Sequence, residues 1–367
     1  MNGLHTKRVV SDVSKHNLDL SAGPAVQIAT PYSTGTGFWW KDAGLYVTCE
    51  HIVRDNREVV IQHSDAERCL AKVLFTDMLN DVAFLRTDEK EIRENGHLTT
   101  ATLTAGLPLT ALGFTPNTHL KRENLRLLSP DFRYEGRDYL LLDTETDSDF
   151  TGGPLLNAAG EICGINIGFL AEEDYQLALS AEQIRQIHSD YLSGGGAVGT
   201  RCINCGRLAF AGQGNGKICL GCLDYLVLPD QAKEYRPHGI GYTIERLIQK
   251  TGHDPRLSRR GPNNWQILQG SARVNISYYE KNGLITGDAH LCLLPPDDTK
   301  ILQFLLRENH KSEGLTFSVD KRDIILSLLI HDRYLNVESG VRLFRHLFEQ
   351  ADYYDNILVE EFGAEWH

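Results

Sequence analysis

The sequence predicts a multidomain protein: an all-β N-terminal half, a small cysteine-rich module and a C-terminal α+β domain. Its 367 residues exceed what one hydrophobic core usually organises. Short segments rich in β-branched and aromatic residues recur up to residue 192, and helical and strand-like patterns alternate from about residue 239. The predicted divisions are an N-terminal segment 1–24, a β domain 25–192, a Gly-rich flexible linker 193–200, a four-cysteine module 201–228 and an α+β domain 239–367.

The β domain is predicted from two runs of brief strands. A-V-Q-I-A-T, G-T-G-F-W-W, G-L-Y-V-T-C, E-V-V-I-Q-H, A-K-V-L-F-T and D-V-A-F-L-R-T form the first run, and turn residues separate them. The second run begins after a division near residues 88–105, and it ends in a strand and a helix with Ser180 as N-cap. This spacing is typical of an all-β barrel or sandwich.

Composition and charge exclude several classes of function. A net charge of −12 argues against nucleic acid as the principal partner, because phosphate binding requires clustered Lys and Arg. The sequence has neither a signal-peptide pattern nor an apolar run of membrane-spanning length. Eight cysteines, four in two close pairs and four scattered, do not form a secreted disulfide framework. We therefore expect a cytoplasmic protein with reduced thiols and no membrane partner.

Three segments of the β domain carry residues suited to acyl transfer. V-T-C-E-H-I-V places His51 just after a strand, N-D-V-A-F-L places Asp81 at the start of another, and F-T-G-G-P-L places Thr151 in a glycine-rich turn. Acyl transfer by a hydroxyl needs a base to take its proton and an acid to orient that base. His51, Asp81 and Thr151 supply these three groups. Along the chain they follow the order His, Asp, hydroxyl.

Residues 25–190 resemble a trypsin-like, chymotrypsin-fold peptidase of the Deg/HtrA kind. The resemblance rests on G-T-G-F, L-Y-V-T-C-E-H-I-V, L-N-D-V-A-F-L and T-G-G-P-L-L-N-A-A-G-E-I-C-G-I-N, and on Asp143 eight residues before Thr151. It implies two six-stranded barrels with the active site between them, and endopeptidase activity on a protein or peptide substrate. It also implies His51 as general base, Asp81 as its orienting acid, Thr151 as nucleophile, and the backbone N–H groups of Asp149 and Thr151 as oxyanion hole.

Two departures from the family pattern fall in this site. The family has Ser where this chain has Thr151, whose β-methyl restricts χ1. It has Gly where this chain has Asp149, which constrains the backbone and adds negative charge near a developing oxyanion. The alternative is therefore a catalytically impaired pseudopeptidase that binds peptides or proteins as an adaptor. Glu145 and Asp147 favour basic substrate side chains, or else form a solvated acidic loop.

The spacing Cys202-x-x-Cys205 and Cys219-x-x-Cys222 predicts four thiolates around one structural zinc ion. The alternatives are two redox-active pairs or unligated cysteines. The module's position favours a rigid spacer or protein-contact element, although Arg201, Arg207 and Lys217 would allow a local nucleic-acid contact.

The C-terminal domain resembles the α+β fold of type III secretion chaperones and YbjN-like proteins. The pattern consists of an opening helix, three antiparallel strands, a helix from about Thr299, a strand near Leu315 to Val319 and a long closing helix. The resemblance implies a protein partner and homodimer formation without catalysis. An unrelated α+β domain is the alternative.

Overall fold

The structure is a computed structural model that describes residues 23–63, 67–88, 94–114, 120–143, 150–170, 175–213, 217–269, 272–296, 299–311 and 314–366. Two six-stranded β-barrels come first, followed by the cysteine-rich module and an α+β domain. The predicted multidomain class is confirmed.

The first barrel is antiparallel, and β5 closes it by pairing with both β4 and β6. Its strand order is β5-β4-β1-β2-β3-β6. Large apolar side chains fill its interior, with Phe38, Phe75 and Phe84 fully buried. The strands are β1 Ala25–Ala29, β2 Thr34–Trp40, β3 Leu45–Thr48, β4 Glu58–Gln62, β5 Arg68–Asp77 and β6 Val82–Thr87.

The second barrel closes in the order β10-β11-β12-β9-β8-β7. The first barrel ends at Thr87 and the second begins at Pro108, in agreement with the division predicted near residues 88–105. The strands are β7 Pro108–Phe114, β8 Leu120–Tyr134, β9 Arg137–Asp143, β10 Pro154–Leu156, β11 Ile162–Leu170 and β12 Tyr175–Ser180.

One continuous apolar core joins the two barrels. Leu112 and Ile165 of the second barrel belong to the same buried cluster as the first-barrel side chains. The helix α2, Ala181–Leu192, covers this junction with Ile184 and Tyr191, which are fully buried. Burial of each such side chain contributes roughly 1.5–3 kcal/mol. Ser180 caps α2 in a reciprocal arrangement with Gln183, as predicted.

The last two residues of the predicted linker 193–200 lie in a strand. Gly199 and Thr200 begin strand β13, Gly199–Arg201, which pairs in parallel with β5 of the first barrel. The strand β14, Leu208–Phe210, then pairs with β13. A Cβ at Gly194 or Gly199 would lie 2.3 or 2.4 Å from the ring of Phe210. These glycines therefore serve close packing.

The C-terminal domain is a five-stranded antiparallel sheet, in the order β15-β16-β17-β19-β18, with helices packed against it. The predicted elements are present, and β19 is an addition to them. The close approach of α3 to α6 depends on Gly340, where a Cβ would lie 2.3 Å from Leu247. The elements are α3 Gly239–Lys250, α4 Pro255–Ser258, β15 Asn264–Gln269, β16 Ala272–Tyr279, β17 Leu284–Leu293, α5 Thr299–Lys311, β18 Leu315–Asp320, β19 Asp323–His331 and α6 Val337–Phe362.

The α+β domain docks on the first barrel through polar contacts. The backbone N–H of Gly261 donates to the carbonyl of Thr30 at 2.8 Å. Arg68 donates to the carbonyl of Gln266 at 2.7 Å, and Arg260 donates to Oε1 of Gln62 at 2.8 Å. Among the described residues, no helix is long and apolar enough to span a bilayer.

Candidate active site

His51 and Asp81 contact each other at two points. His51 lies on the short helix α1, Glu50–Val53, directly after β3, and Asp81 lies in the turn before β6. The backbone N–H of His51 donates to Asp81 Oδ1 at 2.9 Å, and its Nδ1 lies 2.7 Å from Asp81 Oδ2. Because a carboxylate only accepts hydrogen bonds, Nδ1 of the neutral imidazole carries the proton and Nε2 has the lone pair. The His51 side chain is 45% exposed, so reactants can reach it.

Hydrogen bonds to Asp77 fix the loop that carries Asp81. Asp77 is fully buried, and its Oδ1 accepts hydrogen bonds from the backbone N–H groups of Leu79 and Asn80. Asp81 directly follows Asn80. Its φ of 53° lies in the left-handed region, which Asp tolerates better than most residues. The loop geometry therefore sets the position of the carboxylate facing His51.

Arg201 of the cysteine-rich module also holds this loop. Its Nε donates to Asp77 Oδ2 at 2.7 Å, and a second nitrogen donates to Asp190 Oδ2 at 2.5 Å. Burial disfavours the charged guanidinium, but Asp77 and Asp190 outweigh it and raise the pKa of Arg201. Arg201 therefore forms ion pairs with two carboxylates inside the protein. This differs from the local nucleic-acid contact that the sequence would allow.

The Thr151 turn fits between the two barrels because two glycines follow it. Gly152 has φ 82°, and a Cβ there would lie 2.2 Å from the carbonyl oxygen of Thr36. A Cβ at Gly153 would lie 2.0 Å from the carbonyl oxygen of Leu112. The backbone N–H of Gly152 donates to the carbonyl of Asn166 at 2.8 Å, which ties the turn to β11. No other residue type would fit this close approach of three backbone segments.

The same turn packs directly against the residues on either side of His51. The Cβ position of Gly152 lies 2.9 Å from Thr48 Oγ1 and 3.0 Å from Ile52 Cδ1. The thiol of Cys49 donates to the Asn166 carbonyl that also accepts from Gly152. The structure thus brings the turn of Thr151, which is partly buried, together with the helix of His51 and the loop of Asp81.

The four module cysteines converge on one point. Their Sγ atoms all lie within 4.8 Å of one another, with 3.5 Å between Cys202 and Cys222 and between Cys205 and Cys219. Zinc–sulfur bonds of about 2.3 Å in a tetrahedron imply sulfur separations of about 3.8 Å, so the group is of the right size for a metal.

Two similar turns present these thiols. Gly206 N–H donates to the carbonyl of Cys202, Leu223 N–H donates to that of Cys219, and Gly206 and Leu223 both have positive φ. The backbone N–H groups of Cys222 and Gly221 lower the pKa of the Cys219 thiol to about 6, whereas the pKa of the Cys222 thiol is raised to about 12. A thiolate is the form that binds a metal.

Comparison with known proteins shows what the barrel region is similar to. Residues 35–165 match the family model described as "Trypsin-like peptidase domain". The two six-stranded barrels that contain these residues have the trypsin-like double-barrel architecture. Over 138 residues the chain is 30% identical to a "Probable periplasmic serine endoprotease DegP-like" of Pseudomonas savastanoi pv. phaseolicola, covering 36% of this chain and 29% of that protein. It is 27% identical over 156 residues to "Serine protease HTRA2, mitochondrial" of Bos taurus, covering 37% and 31%.

Solved structures similar to the peptidase domain include a serine endoprotease from Yersinia pestis. It has 19% sequence identity and a TM-score of 0.43, and the match covers 49% of this chain and 67% of that chain. An HtrA-type protease solved with a tripeptide has 17% identity and a TM-score of 0.44, covering 49% and 64%. This chain spans less than a third of the length of the two curated relatives above.

Part of the predicted site lies outside the described residues. Asp149, the predicted oxyanion-hole residue, is in the segment 144–149, as are Glu145 and Asp147. Asp143 ends β9, and its Oδ1 accepts the backbone N–H of Arg126 at 2.5 Å.

Sequence reasoning gave no role in the candidate active site to three residues that shape it: Cys49, Asp77 and Arg201. The Sγ of Cys49 lies within 4.8 Å of the side-chain atoms of His51 and Asp81, at the N-cap of α1. Its place two residues before His51 was a usable signal. Asp77 and Arg201 pair across 124 positions of sequence, and no local pattern indicates such a contact.

Proposed function

We propose that this chain is an endopeptidase that cleaves polypeptides with Thr151 as nucleophile, His51 as general base and Asp81 as the orienting acid. The observation that carries the proposal is the two-point contact between His51 and Asp81, which selects the tautomer and ring orientation that a general base requires. The trypsin-like domain supports the same reaction class.

The chemistry proceeds by two acyl transfers. Thr151 Oγ bonds to the substrate carbonyl carbon while its proton passes to His51 Nε2, and the carbonyl oxygen becomes an oxyanion. The C–N bond then breaks, and the departing amine takes that proton from His51. Water repeats the sequence on the ester, with His51 again as base, which releases the acid and restores the Thr151 hydroxyl.

The test compares four forms of the full chain on a panel of unfolded proteins: the native sequence, Thr151→Ala, Thr151→Ser and His51→Ala. We expect cleavage by the native sequence and by Thr151→Ser, and a loss of about 10³-fold or more in Thr151→Ala and His51→Ala. An inactive native chain that Thr151→Ser converts into an active enzyme would overturn the role of Thr151.

A second candidate is a pseudopeptidase adaptor that binds extended peptides without cutting them. The observation that favours it is the β-branched residue at the nucleophile position, because its methyl group restricts the hydroxyl beside the imidazole. Peptide binding by all four forms, with cleavage by none, would select this candidate.

We infer that the four module cysteines bind one zinc ion. Four protein ligands close the coordination shell, so the ion would stabilise the two turns and supply no catalytic water. The sulfur separations support this inference. Elemental analysis should give about one zinc per chain in the native protein and less in Cys219→Ser.

We propose that the C-terminal domain binds a protein partner and forms a homodimer. Support comes from large apolar side chains on its surface, including Leu306 at 71% and Leu329 at 62% exposure. Light scattering of the purified chain decides between monomer and dimer, and Leu329→Ser should weaken the dimer if this surface forms it.

We also propose a reducing compartment for this chain. All eight cysteines are free thiols in the structure, four of them in the proposed metal site. The two curated relatives above carry the words periplasmic and mitochondrial in their names. Fractionation of the source cells, with thiol titration of the native protein, tests this proposal.

A further inference from the structure

A cavity of about 350 Å³ lies between α1, the Asp81 loop and the cysteine-rich module. The helix contributes Val53, the loop contributes Met78, and the module contributes Ile203, Tyr225 and Leu226. Ten of the eighteen lining residues are apolar, aromatic or cysteine and eight are polar or charged, so apolar surface and polar groups share the wall, as in sites that bind a side chain in a fixed orientation. The cavity has no role in the mechanism proposed for the peptidase domain.

Two of the module side chains that line the cavity are exposed to water. Ile203 is 51% exposed and Tyr225 is 76% exposed. The backbone of Tyr225 is nevertheless held in place by a β-bridge to Ile218. Ile203 and Tyr225 therefore present apolar surface at the cavity wall that a bound side chain can contact.

Three charged side chains, Glu50, Arg54 and Asp55, line the helix side of the cavity and give it one excess negative charge. Arg54 donates to the buried carboxylate of Glu50 at 2.6 Å, and both residues line the cavity. An acidic group entering here would have to compete with Glu50 for Arg54. This balance favours an uncharged, apolar occupant over an acidic one.

The cavity is adjacent to the His51–Asp81 pair. Consecutive residues of a helix differ by about 100° in direction, so the cavity faces Glu50 and Val53 while His51 points to the neighbouring side. Met78 precedes Asp81 by three residues in the same loop. The helix that carries His51 and the loop that leads to Asp81 therefore also supply part of the cavity wall.

We propose that the cavity binds an aliphatic or aromatic side chain of the polypeptide substrate, so that the cysteine-rich module forms one wall of a specificity subsite. This inference rests on the proposed peptidase function and names the substrate class. The module then contributes Ile203 and Tyr225 to substrate selection, in addition to holding the Asp81 loop through Arg201.

The test uses full-length Thr151→Ala, which should bind substrate without cutting it, and fluorescein-labelled octapeptides that carry Phe or Asp at one position at a time. We expect anisotropy titrations to show at least about tenfold tighter binding of Phe than Asp at one position. Adding Tyr225→Ser or Ile203→Ser should abolish that preference, whereas Tyr225→Leu should keep it.

Leu220→Ser is the matched control, because Leu220 belongs to the same module, is 62% exposed and lies outside the cavity lining. It should leave the preference for Phe intact. Equal binding of Phe and Asp peptides, absence of peptide binding, or an equal loss in Leu220→Ser would overturn the subsite.

Failure of the subsite and failure of the peptidase function give different results. If the native chain cuts nothing while Thr151→Ala still binds Phe peptides in a Tyr225-dependent way, the proposed subsite is supported and the proposed peptidase activity is contradicted. If the native chain cuts and Tyr225→Ser leaves KM and the cleavage sites unchanged, the proposed subsite is contradicted and the proposed peptidase activity is not.

Discussion

At the scale of single residues, the orientation of His51 depends on one carboxylate. Asp81→Asn keeps the size of the side chain, but an amide can donate to Nδ1 and so stabilise the tautomer with the proton on Nε2. We expect kcat/KM to fall by about 10⁴-fold with little change in thermal stability. Peptide cleavage and thermal unfolding of the purified variant measure the two quantities.

The chain contains a matched control for this substitution. Asp42 Oδ1 lies 2.8 Å from Nδ1 of His97, and both side chains are about half exposed. Asp42→Asn therefore alters a similar pair on the surface and should leave cleavage unchanged. A comparable loss of activity in Asp42→Asn would show that the effect at Asp81 is nonspecific.

At the scale of elements, α2 makes the barrel junction sensitive to acid. His188 on α2 packs its ring against Trp40 at 4.8 Å and Phe84 at 5.6 Å. Burial, and next the charge of Arg86, lower the pKa of His188. The unfolded chain then binds a proton below pH about 6.5 while the folded chain does not, so stability falls as pH drops through this value.

Urea unfolding at a series of pH values from neutral to mildly acidic measures this effect. We expect the midpoint for the native chain to decrease toward acid, and the decrease to be smaller in His188→Phe. His310→Gln, on the exposed side of α5, is the control and should follow the native curve. Parallel curves for the native chain and His188→Phe would contradict the assignment.

The pairing of β13 with β5 makes the module part of the peptidase domain. Arg201→Met leaves the fully buried Asp77 carboxylate without its guanidinium, which should destabilise the fold by about 3–5 kcal/mol. It should also lower kcat, because Asp77 holds the loop of Asp81. Chemical unfolding and cleavage kinetics test both effects. Arg207→Met, at an exposed position of the same module, should change neither the stability of the fold nor kcat.

The sequence predicts strands well where the pattern of residue types shows their burial, and less well elsewhere. The 15-residue strand β8 was not predicted, because Leu125 and Leu127 are its only fully buried residues. β19 is not predicted although its burial alternates, because Ile325 and Leu329 place apolar residues on its less buried face as well and so hide the period of two in the sequence. His51, Asp81, Thr151 and the four cysteines could be named because local motifs carry them. The Asp77–Arg201 pair could not, because distant segments form it.

At the scale of the whole molecule, the α+β domain docks on the first barrel through desolvated polar groups. Arg68 of β5 donates to Gln62 of β4 and to the backbone and side chain of Gln266 in β15. Burial, and next the charge of Arg273, lower the pKa of Arg68 to about 9. Hydrogen bonds to charged groups are worth about 1.5–3 kcal/mol each, so Arg68 should be a main contributor to docking.

Arg68→Ala should therefore uncouple the two halves of the molecule. The peptidase domain and the α+β domain have separate cores, so each can remain folded after the contact is lost. We expect calorimetry to change from one coupled transition to two, and small-angle scattering to report a larger radius of gyration. Arg133→Ala is the control, because Arg133 and its partner Asp138 are 69% and 61% exposed and such pairs contribute about 0–1 kcal/mol. A single unchanged transition in Arg68→Ala would mean that the remaining contacts, which include the Gly261–Thr30 and Arg260–Gln62 hydrogen bonds, suffice to hold the domains together.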